Sequence, residues 1–334
     1  MNDWRRPRGG ACLDIQISHQ SRTGELCLRL AQNTMKQLEA EELLSCLSRG
    51  RTLFTYGKDW YAVSLLKMAM RHSTLTQLKN TRLGNLLEKP RLRAWLGSLG
   101  KKLPTPADLD LLWPEETETY RLTAGLFNGR IQTSRKGKDA WNIVLQINLN
   151  ENDARIIERK FPERSDDPFE YSWHPVHEGR HRTLAWARID LDWSCGEALI
   201  EEIQNDRLRE VGDYVARIRR QGLKTVRLNY QDLDASFILD YWDKRLRLSR
   251  QWWDEAILSA AVGFIVNELG IRCIYYHSPI SGAKLKGDGA AKAPTSLYTD
   301  LPKRFCFDKT DDMPAFVKRK RNQAGNLWMY RICI

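Results

Sequence analysis

Two adjacent carboxylates, Glu201 and Glu202, lie in a largely apolar segment, and Asp206 follows four residues later. Consecutive side chains of a strand face opposite sides, so one of the two glutamates is expected on the face that helices cover. A buried carboxylate is costly unless it is paired or functional. The segment therefore predicts either a general base with a raised pKa, which deprotonates an amine or positions a water, or a glutamate paired with an arginine.

His277 ends a second apolar segment, where the edge of a mixed sheet would open towards a ligand. It could be an acid or base there, or a strand-end histidine bound to a carbonyl. Lys284 and Lys286 follow in a Gly/Lys loop, which could offer amides and ammonium groups to phosphate or simply be a flexible surface loop. The loop lacks the GxxxxGK[ST] pattern, so an NTPase is not predicted.

The residues Ser249, Arg250 and Gln251 begin the clearest helix of the sequence, at the end where an anion is stabilised. The spacing of His174, His177 and His181 resembles that of zinc ligands, but a proline and a glycine among them interrupt any helix that would align them. No metal site is predicted.

Two blocks of sequence, 184–206 and 252–278, resemble a domain of the large polyvalent proteins of phages and conjugative elements. The resemblance lies in a strand, a turn and an "IEEIQSD" strand, followed by a helix rich in Ala and Leu and a further strand. The motif reads Ile-Glu-Glu-Ile-Gln-Asn-Asp here, with Asn205 where Ser is usual. The resemblance implies phage or mobile-element biology and no defined chemistry.

The order of elements is also similar to that of the GNAT acyltransferases, in which a central strand leads into a cofactor-holding helix and then a splayed strand. That resemblance implies acyl-CoA as cofactor, bound through a [Q/R]xxGx[G/A] loop at a helix start. The nearest string, residues 219–224, lacks the final small residue, and Cys306-Phe307 stands where the family has "GF". In this interpretation Glu201 or Glu202, with Asp206 and His277 nearby, handles the proton. The cofactor would contact Ser249, Arg250, Gln251, Lys284 and Lys286.

Hydrophobic periodicity divides the chain into two parts. Residues 1–112 are predicted to form a basic, mainly helical module, because apolar residues recur at helical spacing from about residue 31 to residue 100. Residues 113–334 alternate in strand fashion around a few helices, which predicts an α+β domain with a mixed, mostly antiparallel sheet (GNAT-like). The individual predictions are a helix over 35–48 in the first part and, in the second, strands within 119–134 and 139–150, a hairpin that turns at Ser194-Cys195-Gly196, a long helix that ends at Gly270 and a basic turn at 318–321.

The chain has 334 residues and a formal net charge of +11, and its excess of basic residues is concentrated in two stretches. Residues 49–102 hold twelve bases and two acids, and residues 282–331 hold eleven bases and five acids. Either stretch could contact a nucleic acid. The sequence has no apolar run of membrane-spanning length, and its seven scattered cysteines are poor material for a disulfide framework. It predicts a cytoplasmic protein with reduced thiols and no membrane partner.

Together these features predict a GNAT-like transferase that moves an acyl group from acyl-CoA to an amine of a nucleic-acid-associated or protein substrate. The alternative is a non-enzymatic DNA- or RNA-binding accessory protein of a mobile element, with both basic stretches on phosphates.

Overall fold

The computed structural model describes residues 41, 44–45, 52–100, 103–128, 134, 141–163, 167–177, 181–228, 231–286, 294–317 and 327–334. The helix expected near residues 35–48, the basic turn 318–321 and three of the cysteines (Cys12, Cys27 and Cys46) lie largely or wholly outside these ranges.

Eight strands of the described chain form one sheet, in the spatial order β1-β2-β3-β4-β5-β8-β10-β9. Neighbours pair antiparallel except β5 and β8, which are parallel. The predicted α+β class with a mixed, mostly antiparallel sheet is therefore confirmed. The strands are β1 Thr52–Tyr56, β2 Glu118–Asn128, β3 Trp141–Asn148, β4 Thr183–Asp192, β5 Glu197–Gln204, β8 Cys273–His277, β9 Asp308–Thr310 and β10 Met329–Cys333. A separate hairpin pairs β6 (Thr225–Leu228) with β7 (Gln231–Asp234).

The first helices follow β1 directly: α1 is Trp60–Ala69, α2 is Leu75–Lys79 and α3 is Pro90–Ser98. Thr74 caps α2 with a capping box, and Pro90 occupies the first turn of α3, where its missing N–H costs nothing. Short 3-10 helices span Arg82–Glu88 and Pro106–Leu111. The sequence predicted only helices between residues 31 and 100, so it missed β1, which pairs with β2 at the edge of the sheet.

Helix α4 (Glu151–Lys160) is capped by Asn150, and α5 (Asp206–Gln221) ends at Gly222 with a φ of 61°. Helix α6 spans Ala235–Asp240, and a π turn covers Tyr241–Arg245. The helix predicted before Gly270 is α7 (Ser249–Gly263), extended by a second π turn, Phe264–Glu268. Helices α8 (Pro279–Lys286) and α9 (Asp300–Arg304) complete the described set, with a 3-10 helix at Thr295–Tyr298.

Each face of the sheet around β5 and β8 has its own apolar cluster. Helix α7 packs across β3, β4 and β5, and its Ala256 joins Ile200 and Tyr276 in the main core. On the opposite face Leu285 of α8 packs against Leu199 and Tyr275 in a smaller cluster. Side chains that alternate along β5 and β8 therefore enter different environments, with α7 on one side and α8 on the other.

Two expectations about this region are wrong. The segment holding Gly282, Lys284 and Lys286 is the helix α8 rather than a loop, up to Lys286. In addition, Cys273 and Cys333 form a disulfide, because the antiparallel register of β8 and β10 places them opposite each other with a Cα–Cα distance of 4.3 Å. Scattered positions in a sequence do not reveal such a cross-strand pair. No helix within the described ranges is long and apolar enough to cross a membrane.

Candidate functional site

The centre of the sheet contains a β-bulge at Glu201. On the neighbouring strand Arg188 faces Glu202 and Ile189 faces Ile200, so Glu201 is the extra residue of β5. On its other side β5 pairs with β8 only from Glu197 to Ile200, and the parallel ladder stops at the bulge. A bulge bends its strand and increases the local twist, which explains why β5 and β8 stop pairing here.

The side chains of Glu201 and His277 meet where the two strands separate. His277 Nε2 lies 3.1 Å from Glu201 Oε2, and both side chains are fully buried. Ser134, which comes from the segment between β2 and β3, donates its backbone N–H to Glu201 Oε1 at 3.0 Å. The Ser134 hydroxyl lies 2.7 Å from each carboxylate oxygen and 2.8 Å from His277 Nε2. Ser281 Oγ holds the other imidazole nitrogen, Nδ1, at 3.0 Å.

Both glutamates face the α8 side of the sheet, contrary to the alternation expected from the sequence. The bulge inserts one residue, so Ile200 and Ile203 both enter the main core while Glu201 and Glu202 lie together on the other face. Glu202 Oε2 accepts from Arg188 at 2.5 Å and lies 3.7 Å from Lys286 Nζ. Glu202 therefore follows the alternative of a glutamate paired with an arginine, whereas Glu201 contacts a histidine and a serine.

Lys286 closes this cluster from the end of α8. Its ammonium donates to the main-chain carbonyl of Glu201, and only 6% of its side chain is exposed. That carbonyl lies beyond the last residue pair of the β5–β8 ladder. The lysine therefore gives this buried acceptor a hydrogen bond that strand pairing with β8 does not provide. Arg188, Glu201, Glu202, His277 and Lys286 thus form one buried charged cluster, which we call the bulge cluster.

The pKa values of the bulge cluster depart from their usual ranges. Burial by itself would raise the pKa of Glu201, but the hydrogen bond from His277 and the charges of Lys286 and Arg188 lower it. The sequence predicted a raised pKa, and this direction is wrong because it neglected the cations around the carboxylate. Burial lowers the pKa of His277, although Glu201 opposes the shift. The cluster therefore holds a neutral imidazole beside an ionised carboxylate at neutral pH, and such an imidazole can accept a proton.

We expect folding stability to fall between pH 7 and pH 5.5 because of His277. The unfolded state binds a proton near the ordinary histidine pKa of 6.5, and the folded state binds it only at lower pH, so acid favours unfolding. The contribution over this window is at most about 1 kcal/mol, the limit for an imidazole that stays unprotonated in the folded state. Urea denaturation at the two pH values should show a smaller loss for His277→Asn than for the native chain. His72→Gln, at an exposed histidine, serves as the control and should keep the native loss; equal losses in all three proteins would contradict the prediction.

The predicted cofactor residues do not come together. Ser249 begins α7 on the main-core face and its hydroxyl lies 3.2 Å from that of Tyr120. Arg250 stacks on Trp242 at 4.4 Å from the ring centroid, and Gln251 is exposed. Lys286 belongs to the bulge cluster on the opposite face, where Lys284 is exposed on the same helix, α8.

Asp206 lies in a different polar cluster, at the start of α5. Its carboxylate contacts His174 Nδ1 at 2.6 Å and Arg209 at 2.9 Å. The preceding Asn205 caps the helix by accepting from the N–H of Leu208. The IEEIQND motif therefore divides after Glu202: its glutamates serve the bulge cluster and its last two residues start a helix.

Sequence reasoning missed Ser134, Arg188 and Ser281. Ser134 is a lone serine at the end of the alternating segment 119–134, and Ser281 lies in the segment that was predicted to be a loop, so neither residue type marks a site. Arg188 could have been found, because an arginine in the middle of an apolar strand must have a buried partner.

Within the described residues, no group of three or more His, Cys, Asp or Glu side chains could hold a metal ion. His174, the first residue of the zinc-like spacing, is bound to Asp206 instead. No protein-family model, curated protein or solved structure matches the chain.

Proposed function

We propose that the chain is a GNAT-like acyltransferase, in which the separation of β5 and β8 at the bulge cluster receives the acyl part of acyl-CoA and the acceptor is an amine. The observation that carries the proposal is the parallel pair of β5 and β8, the only parallel pair among the described strands, whose ladder ends at Ile200 and Tyr276, directly before Glu201 and His277. The resemblance to GNAT enzymes calls for a splayed strand at this point of the sheet. The resemblance of the IEEIQND motif favours a phage or mobile-element setting, with a nucleic-acid-associated or protein substrate.

In the proposed reaction the amine nitrogen attacks the thioester carbonyl, a C–N bond forms, the C–S bond breaks and the coenzyme leaves as a thiol. Nε2–H of His277 donates to the ionised Glu201 carboxylate, so Nδ1 is the nitrogen that accepts a proton, and burial keeps the imidazole neutral. Ser281 Oγ contacts Nδ1, and in this mechanism its hydroxyl gives its proton to Nδ1 while it takes the proton that the amine loses. The ammonium of Lys286 covers the Glu201 carbonyl. Entry of the acyl donor at this point therefore requires Lys286 to release that carbonyl.

The start of α5 does not fit the diphosphate of a coenzyme. A helix that follows a central strand offers free N–H groups and a positive dipole end to phosphate. Here the side chain of Asn205 takes one of those N–H groups, and the buried carboxylate of Asp206 already places a negative charge in the first turn. The diphosphate would instead contact Lys284, whose side chain is exposed on α8.

Calorimetric titration with acetyl-CoA tests the proposal, with a DNA duplex and an RNA as parallel ligands. We expect a dissociation constant on the order of micromolar for acetyl-CoA, weakened in Lys284→Gln because that ammonium contacts phosphate. His277→Asn should keep donor binding and lose release of the coenzyme thiol in the presence of an amine panel.

Lys244→Gln, which removes an exposed base from another surface, is the matched control and should bind acetyl-CoA like the native chain. Absence of acetyl-CoA binding alongside clear binding of the duplex or the RNA would overturn the proposal in favour of a non-enzymatic nucleic-acid-binding protein. Unchanged thiol release in His277→Asn would overturn the assigned proton acceptor.

A further inference from the structure

The two basic stretches of the sequence meet at one groove of about 390 Å³. Arg82 comes from the first stretch, Lys309 and Arg331 come from the second, and Arg272 precedes β8. One carboxylate, Asp308, lines the groove together with these four bases and with His72. The sequence suggested two separate basic surfaces, whereas the fold brings members of both stretches to the same place.

One wall of the groove is formed by residues of β9 and β10 and by Arg272, which precedes β8. Arg331 lies on β10, which pairs with β8 on one side and with β9, the strand of Lys309, on the other. The Cys273–Cys333 disulfide joins β8 to β10 beside Arg272, and Cys333 itself lines the groove. These pairings fix the backbone positions of the bases.

Each base keeps donors for a ligand after its internal contacts. Arg82 donates Nε to Asp308 at 2.9 Å and one terminal nitrogen to the Phe307 carbonyl, and 47% of its side chain is exposed. Arg331 donates one nitrogen to Asp312 at 2.9 Å and lies 6.0 Å from the ring centroid of Tyr275, on the α8 side of the sheet, and 39% of its side chain is exposed. A guanidinium carries five N–H donors, so these contacts orient both side chains without using all their donors.

The other two bases are held in the same way. Arg272 donates Nε to a main-chain oxygen of Ile334. The ammonium of Lys309 lies 4.6 Å from the ring centroid of Trp328, a contact that leaves its three N–H donors available to an anion.

We propose that this groove binds the phosphate groups of a nucleotide-sized ligand, which is either a free nucleotide or the end of a single-stranded nucleic acid. Four bases against two carboxylates, Asp308 in the lining and Asp312 on Arg331, still leave a surplus of positive charge, and planar guanidinium forks match phosphate oxygens in pairs. A volume of about 390 Å³ suits a small ligand. The hydroxyls of Ser73 and Thr310 in the lining can add neutral hydrogen bonds, whereas that of Thr81 already donates to the Leu78 carbonyl. The proposal does not rest on the acyl transfer proposed above.

Binding measurements with inorganic tripolyphosphate, adenosine monophosphate and a fluorescent single-stranded oligonucleotide test this groove. The double variant Arg82→Gln/Lys309→Gln, which removes one base of each stretch, should bind tripolyphosphate about tenfold more weakly than the native chain at low salt, because two charged contacts are lost. The slope of log affinity against log salt for the oligonucleotide should fall by about 1.4. Arg220→Gln/Lys224→Gln removes the same charge from exposed positions outside the groove lining and should change neither value by as much.

The competition arm identifies the source of the phosphate. Displacement of the oligonucleotide by tripolyphosphate would assign the groove to a nucleic-acid end, and binding of tripolyphosphate and adenosine monophosphate without the oligonucleotide would assign it to a free nucleotide. The proposal is overturned if tripolyphosphate does not bind, or if the two double variants lose affinity equally. Tripolyphosphate has no acyl or pantetheine part. Its binding, or the absence of binding, therefore tests this groove without testing the proposed acyl transfer.

Discussion

Replacing Arg207 with leucine should lower the free energy of unfolding by about 3–5 kcal/mol. The Arg207 side chain is fully buried and donates to Asp167 at 2.9 Å and to Glu170 at 3.0 Å. Leucine fills part of the space but leaves two carboxylates without their main cation, since the next nearest, Arg182, lies 3.7 Å from Asp167. Because domains are stable by only about 5–15 kcal/mol, the variant would lose a large share of its stability.

Urea denaturation at pH 7 measures this loss, and the chain provides a matched control. Arg219 pairs with Asp243 at 2.8 Å, which is as short as the Arg207 pair, but both side chains are about half exposed. Arg219→Leu should change the free energy of unfolding by less than about 1 kcal/mol, because water replaces the lost partner. Equal losses of unfolding free energy in the two variants would show that the buried ion pairs of Arg207 stabilise the fold no more than the exposed pair of Arg219.

The second large effect is expected for Glu201→Gln. The carboxylate accepts the backbone N–H of Ser134 and faces the Ser134 hydroxyl and His277, and its charge balances Lys286 and Arg188. A glutamine directs an NH₂ group at donors and leaves the buried cations with one anion fewer. We expect a loss of about 3 kcal/mol in the free energy of unfolding.

Glu197→Gln is the control for this substitution because it lies on the same strand. Glu197 accepts from the Tyr275 hydroxyl at 3.3 Å and from the N–H of Ala315 at 3.2 Å, and it is only partly buried. Glu197→Gln should lower the free energy of unfolding by no more than about 1 kcal/mol, measured by the same urea denaturation. A Glu201→Gln protein as stable as the Glu197→Gln protein would show that Glu201 is not held as an ion.

The stability of the bulge cluster bears on its function. An ionised carboxylate and a neutral imidazole are held together in a space closed to water, on elements far apart in the sequence, β5 and β8. Residues with perturbed pKa values often belong to functional sites, but structural ion pairs also produce them. The coenzyme titration and the stability measurements separate these two roles, because only a functional role requires donor binding and thiol release.

Local sequence was sufficient to predict most of the elements. Alternating apolar residues predicted β2 and β3, the turn around Gly196 predicted the β4–β5 hairpin, and the long apolar segment ended by Gly270 predicted α7. These features depend on contacts between residues close in the chain, so the pattern of side chains defines them. The five-residue strand β1 was missed because so short an alternation is also compatible with a helical spacing.

Only the tertiary structure decided how the site is assembled. Glu201 and His277 were identified from the sequence as separate candidates, but 76 residues separate them, and their contact depends on the parallel register of β5 and β8. The bulge that turns Glu201 to the same face as Glu202 depends on pairing with β4, and it reverses the alternation argument. The groove between the two basic stretches and the Cys273–Cys333 disulfide likewise depend on the insertion of β10 between β8 and β9. Residue types and local periodicity determined which groups could do chemistry, whereas long-range strand pairing, which no local pattern encodes, determined which of them meet.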